Sequence, residues 1–204
     1  MIAAQSGPLT IYYIRHGETA WSLTGQHTGV TDIPLTADGE VGARALRPWL
    51  EPVVFTRVLT SPRRRASRTC ELAGFGARAE VEPDLAEADY GDYEGRLSVD
   101  IEKERPGWDL FRDGCPNGES PAQISARIDR VIGRLLTMQG NVALFSHGHF
   151  GAMLAARWIQ QPVFEGRHFP LTPCSVSLMG FAAHHPDVRI IAVWNATVGG
   201  LPPG

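Results

Sequence analysis

The stretch Leu9-Thr10-Ile11-Tyr12-Tyr13-Ile14 runs into Arg15-His16-Gly17, and Val142-Ala143-Leu144-Phe145 runs into Ser146-His147-Gly148. Each is a short apolar run that stops at one polar residue followed by His-Gly, which reads as a buried strand opening into a polar loop. In an open parallel sheet, ligands bind beyond the carboxyl ends of the strands, so neighbouring strands would bring His16 and His147 into one crevice. The glycine after each histidine is expected to let the backbone approach a ligand closely.

Working outward, Arg57 to Thr60 is a third such run, and helix-like stretches lie between or after the three. Asp38 to Leu50 carries Val41, Ala45, Leu46 and Trp49 at a 3.6-residue period; Ser120 to Met138 carries Ile124, Ile128, Val131, Ile132 and Leu135 in the same way. Ser61-Pro62 reads as an N-cap followed by proline at the first helical position, opening a helix to about Gly74 with Arg63, Arg64 and Arg65 in its first turn. The alternation predicts an α/β fold with a parallel sheet. Leu85 to Gly118, interrupted by glycines and Pro106, reads as an irregular excursion over the sheet edge, and it carries Glu87, Asp89 and Glu94. Ser175 to Phe181 and Val188 to Trp194 read as two more strands around a His184-His185-Pro186 turn, and the tail 199–204 is expected to be loose. No repeat or linker divides the chain, so one domain spanning residues 1–204 is expected.

Composition narrows the function classes. With 43% hydrophobic and 20% charged residues over 204 positions, the chain has the make-up of a folded globular protein. A net charge of -3 gives no global attraction for nucleic acid or an anionic membrane, so an anion must be gathered by a local cluster of cations. Cys70, Cys115 and Cys174 are an odd count without CxxC spacing, which points away from a disulfide framework or zinc knuckle and toward a cytoplasmic location. The first eight residues lack the basic and apolar regions of an export signal, and no segment has the roughly 18 apolar residues of a membrane span. The triplet Asn195-Ala196-Thr197 matches the glycosylation pattern and is set aside in such a chain. A homodimer is expected on general frequency alone.

The cations are where an anion would need them. Arg15 beside His16 supplies a planar fork that matches two phosphate oxygens, and Arg65 in a first helical turn supplies a second. Two guanidinium groups and two imidazoles describe a phosphate pocket.

These residues resemble a known family. Arg15-His16-Gly17-Glu18-Thr19 is similar to the opening motif of the histidine phosphatases, in the phosphoglycerate-mutase-like branch, and is followed by Trp21, Thr28-Gly29, and Asp32-Ile33-Pro34-Leu35-Thr36 with Gly39. Ser61 to Ala66 resembles the segment bearing the family's second arginine, here Arg65. Leu85-Ala86-Glu87 with Tyr90-Gly91 and Glu94-Gly95 resembles the acid segment, and Ser146-His147-Gly148 the second histidine. The likeness runs from about residue 10 to 150 in family order. It implies a three-layer αβα sandwich with a mostly parallel central sheet. It also implies a metal-independent reaction without cofactor, in which His16 takes the phosphoryl group while Arg15, Arg65 and a protonated His147 neutralise its oxygens. Glu87 serves as general acid and then base, its acid form favoured by burial beside Tyr90, and a mildly acidic optimum follows. Ser22, Thr28, Gly29 and Gly148 complete the expected substrate-binding set, for a small phosphorylated metabolite.

Other readings are weighed against this one. His16, His147 and His149 as metal ligands would face two repelling arginines, and no ligand pattern such as HExxH is present. His149 by itself reads as facing solvent. A cofactor-dependent phosphoglycerate mutase is the main enzymatic alternative. Against it, Ser22 stands where mutases carry asparagine, Ser98 where they carry lysine, and only Arg112 remains of a pair of arginines. Pro116-Asn117-Gly118-Glu119-Ser120 and Gly25 to Gly29 resemble phosphatase members, of the broad acid phosphatase and sugar-bisphosphatase kind. A non-catalytic binder of phosphorylated ligands would be marked by loss of His16 or Glu87, and both are present.

Overall fold

In the computed structural model, which describes residues 7–198, the alternation within the apolar runs sorts their side chains onto two faces of one sheet. The elements in chain order are β1 (Thr10–Arg15), α1 (Ala20–Thr24), α2 (Ala37–Ala45), α3 (Arg47–Leu50), β2 (Phe55–Thr60), α4 (Arg64–Leu72), β3 (Ala79–Val81), α5 (Ser98–Glu104), α6 (Leu110–Asp113), α7 (Pro121–Leu135), β4 (Asn141–Ser146), α8 (Gly148–Trp158), β5 (Val176–Ala182) and β6 (His185–Ala196). Short 3₁₀ turns lie at 83–85, 91–93 and 163–168. The sheet order is β3-β2-β4-β1-β5-β6. The first four strands are mutually parallel, and β5 and β6 add an antiparallel edge.

Ile11, Tyr13, Val142 and Leu144 face a core made with α7 and α8, and Ile14, Ala143 and Phe145 face a second core made with α2, α3 and α4. This is the expected αβα sandwich. Helix α7 shows how the sequence writes it: Ile124, Ile128, Val131, Ile132 and Leu135 are all buried on one stripe, and Ser120 and Gln123 close a capping box at its start. Each such side chain contributes about 1.5–3 kcal/mol on leaving water.

Three expectations need correction. The single helix over 38–50 is two, α2 and α3, parted at Leu46, because Pro48 lacks the N–H that would continue the ladder. In that region Val41 and Trp49 face solvent while Ala43, Leu46 and Leu50 fill the core. The helix after β2 starts at Arg64 rather than Pro62; Ser61 is buried and accepts the Arg63 N–H, and Arg65 is the second helical residue. The excursion over 85–118 includes two short helices, α5 and α6. The tail 199–204 lies outside the described residues. Among the described residues no helix is long and apolar enough to cross a membrane.

Candidate active site

Strands β1 and β4 are direct parallel neighbours with Arg15 in register with Ser146, so His16 and His147 leave the sheet at the same level. Their rings meet edge to face with centroids 5.2 Å apart. The backbone is clamped first: the His16 N–H donates to the Ser146 carbonyl at 2.9 Å, and the buried Tyr13 hydroxyl donates to the His147 carbonyl at 2.6 Å while accepting its N–H at 3.0 Å.

The rings are fixed by tautomer. His16 Nδ1 lies 2.7 Å from the Gly17 carbonyl, which can only accept, so Nδ1 carries the proton and Nε2 keeps its lone pair. Burial, with Arg15 and Arg65 nearby, holds the His16 pKa well below 6.5, so the ring is neutral across mildly acidic pH. His147 accepts from Arg65 Nε at Nδ1 (3.1 Å) and so donates from Nε2 to Ser61 Oγ at 2.7 Å. Its pKa is also pushed well below 6.5, by burial first and Arg65 next. The expectation of a protonated His147 is therefore wrong: a fully buried imidazole against a guanidinium stays neutral.

Arg15 donates from Nη1 to the Leu171 carbonyl, and its Nε is buried without a hydrogen-bond partner. Such an orphaned cationic donor suits an incoming anion. Arg65, by contrast, spends four of its five donors on the protein: His147 Nδ1 and the carbonyls of Thr28, Gly29 and Thr31 at 2.9–3.1 Å. Glu94 completes this cradle by accepting the N–H groups of Gly29 and Thr31. Arg65, His147 and Gly29 thus stand behind the cavity wall, while Arg15, His16, Ser22, Thr28, Glu87 and Gly148 line it. The Ser22 hydroxyl is engaged locally with the Thr19 backbone.

The Glu87 carboxylate, carried by the segment after the 83–85 turn, sits against the N-terminus of α8. One oxygen accepts the Ala88 and Phe150 N–H groups and the other the His149 N–H, at 2.7–3.0 Å. Glu87 is buried, as expected, but its seat is a nest of backbone donors, and the Tyr90 hydroxyl bonds His149. Arg127 on α7 and Ser146 hold the backbone of this segment through the Asp84, Leu85 and Ala86 carbonyls.

The cavity has a volume of about 410 Å³. Sequence reasoning missed part of its wall: Phe111, His149, Arg167 and Phe169 come from elements whose facing only the fold sets. His149 is turned inward, not to solvent, and burial lowers its pKa to about 4. Both glycines are also required by packing. A Cβ on Gly17 would lie 2.5 Å from the Gly39 carbonyl oxygen, and one on Gly148 would lie 3.3 Å from the Arg15 guanidinium. Asn195 is buried and bonds the Thr172 backbone at 2.6 Å, which fixes the loop that presents the Leu171 carbonyl to Arg15. Arg112 pairs with Asp113 at the surface. Among the described residues no group of three or more His, Cys, Asp or Glu side chains is placed to hold a metal ion.

Comparison with known proteins identifies the family. The family model described as the histidine phosphatase superfamily (branch 1) matches residues 11–194. An acid phosphatase of Mycobacterium tuberculosis is 40% identical over 192 residues, covering 90% of this chain and 91% of that protein. Sedoheptulose 1,7-bisphosphatase of Saccharomyces cerevisiae is 38% identical over 178 residues, covering 71% of this chain and 65% of that protein. A solved structure of an open reading frame product of M. tuberculosis superposes with a TM-score of 0.86 at 37% identity, covering 93% of this chain and 98% of that one.

Proposed function

Since the chain belongs to the histidine phosphatase superfamily, branch 1, we propose that it is a phosphomonoester hydrolase in which His16 accepts the phosphoryl group of a small phosphorylated metabolite. The observation that carries this reading is the single lone pair of a neutral, oriented His16 at the floor of a cavity beside the unpaired Arg15 donor. His16 Nε2 attacks phosphorus as the bond to the leaving oxygen breaks, and Glu87 passes a proton to that oxygen. Water then attacks the phosphohistidine, giving its proton to Glu87, and phosphate departs. Arg15 neutralises the equatorial oxygens, and Gly148 leaves room for its guanidinium beside the start of α8. Arg65 and His147 act through position, holding His16 and the 28–31 loop. The relatives named acid phosphatase and sugar bisphosphatase support hydrolysis over transfer back to substrate. The three free cysteines suit the reducing cytoplasm.

The test is phosphate release from a panel of phosphorylated metabolites between about pH 5 and 8 with EDTA present, comparing wild type with His16→Ala. Release that is independent of metal and dependent on His16, with acid-labile label trapped on the protein, is the expected result. Isomerisation of 3-phosphoglycerate outrunning phosphate release would sink the hydrolase reading in favour of a mutase.

A further inference from the structure

Beyond the catalytic chamber the cleft continues into a second chamber of about 390 Å³. The two share His27, Ser98, Phe111, His149 and Arg167 as common walls, so one ligand can occupy both. The second chamber is framed by aromatic rings. Trp108 stands edge to face on His27 at 5.7 Å, Phe111 edge to face on His149 at 5.5 Å, and the two imidazoles lie 5.8 Å apart. Both imidazoles are depressed by burial to a pKa of about 4 and so present uncharged faces.

The charges around this chamber discriminate between occupants. The one cation among its described lining residues, Arg167, lies stacked over Phe164 at 4.0 Å and has Asp109 at 4.0 Å; Asp109 and Glu102 are both on the wall. A second phosphate placed here would meet two carboxylates and one shared guanidinium, whereas an uncharged flat ring would meet four aromatic edges and faces. We propose that the second chamber selects phosphomonoesters whose alcohol carries an uncharged planar ring, with the phosphate on His16 and the ring between Trp108, Phe111 and the two imidazoles. This rests on the phosphatase reading for its orientation, and it disfavours bisphosphates as substrates.

The test uses pairs with similar leaving alkoxides that differ in the ring: adenosine 5′-monophosphate against ribose 5-phosphate, and 2-phenylethyl phosphate against ethyl phosphate. The first pair reads a nucleobase and the second a carbocyclic ring. The expected result is a ring-bearing member favoured at least about tenfold in kcat/KM in one or both pairs, in keeping with the stacking of a base on aromatic side chains. F111A should lower that ratio several-fold. So should V99D, which sets a charge on an exposed rim position and leaves packed side chains in place. Ratios near one in both pairs, ratios untouched by both variants, or fructose 1,6-bisphosphate outrunning every ring-bearing ester would overturn the proposal. The same pairs are titrated calorimetrically into His16→Ala protein. If no ester is hydrolysed the phosphatase reading has failed, while the binding ratio still decides the ring chamber.

Discussion

Arg65 Nε donates to His147 Nδ1 at 3.1 Å with neither side chain reaching solvent. The bond fixes the neutral tautomer of His147, and through it the donor that Ser61 Oγ receives. It makes Arg65 the keystone of the wall behind His16, since the same guanidinium also ties down three carbonyls of the 28–31 loop.

Replacing Arg65 tests that arrangement. R65A leaves those carbonyls without a donor, with an expected stability loss of about 3 kcal/mol and a fall in kcat of at least about a hundredfold. R65K keeps the charge but not the fork and should recover little of either. Urea unfolding and phosphate release read the two effects; full rescue by lysine would show that charge alone matters.

Glu94 acts one step further out. E94Q keeps the shape and one oxygen that can accept both the Gly29 and Thr31 N–H groups, but it loses the negative charge and the second oxygen that Gly29 also reaches. The expected outcome is kcat down about tenfold with KM nearly unchanged, and a melting temperature lower by a few degrees, for a loss of about 1 kcal/mol. An unchanged kcat would detach this loop from catalysis.

Asn195 is predicted to govern substrate affinity through Arg15. N195A frees the Thr172 backbone and loosens the Leu171 carbonyl that Arg15 holds. KM should rise several-fold while kcat changes less, with about 1–2 kcal/mol of stability lost. Steady-state kinetics separates the two parameters.

The buried histidines set the pH dependence of stability. His16, His27, His147 and His149 all have folded-state pKa values below 6.5, with burial as the leading cause. The unfolded chain therefore binds protons that the folded chain refuses once pH falls below about 6.5. Stability is full above that value and declines toward pH 4 by about 1.4 kcal/mol per pH unit for each such residue. Activity should not follow an imidazole titration near 6.5, because His16 stays neutral there; its acid limb is set lower or by unfolding. Urea midpoints at pH 7, 6 and 5 check this. A flat series would mean that these imidazoles take up protons while folded.

The amino-acid order by itself determined an α/β fold with a parallel sheet and placed His16 and His147 together at its strand ends. Two apolar runs ending in His-Gly need buried parallel strands, and a regular stripe such as Ile124 to Leu135 needs a helix lying on them, because period and burial are local properties of the chain. Arg15 and Arg65 stood out by their place beside the histidine and in a helical turn, whereas Glu87 was singled out from Asp89 and Glu94 only by the family resemblance. The tertiary structure alone decided what these groups do to one another. Whether His147 is charged depends on the guanidinium across from it, and whether Arg65 reaches the ligand depends on carbonyls about 35 residues away in the chain. Likewise His149, Phe111 and Arg167 became walls of one cleft only when α6, α8 and the 163–168 turn packed together. Desolvation and hydrogen-bond direction are set by neighbours in space, and a linear pattern does not encode them.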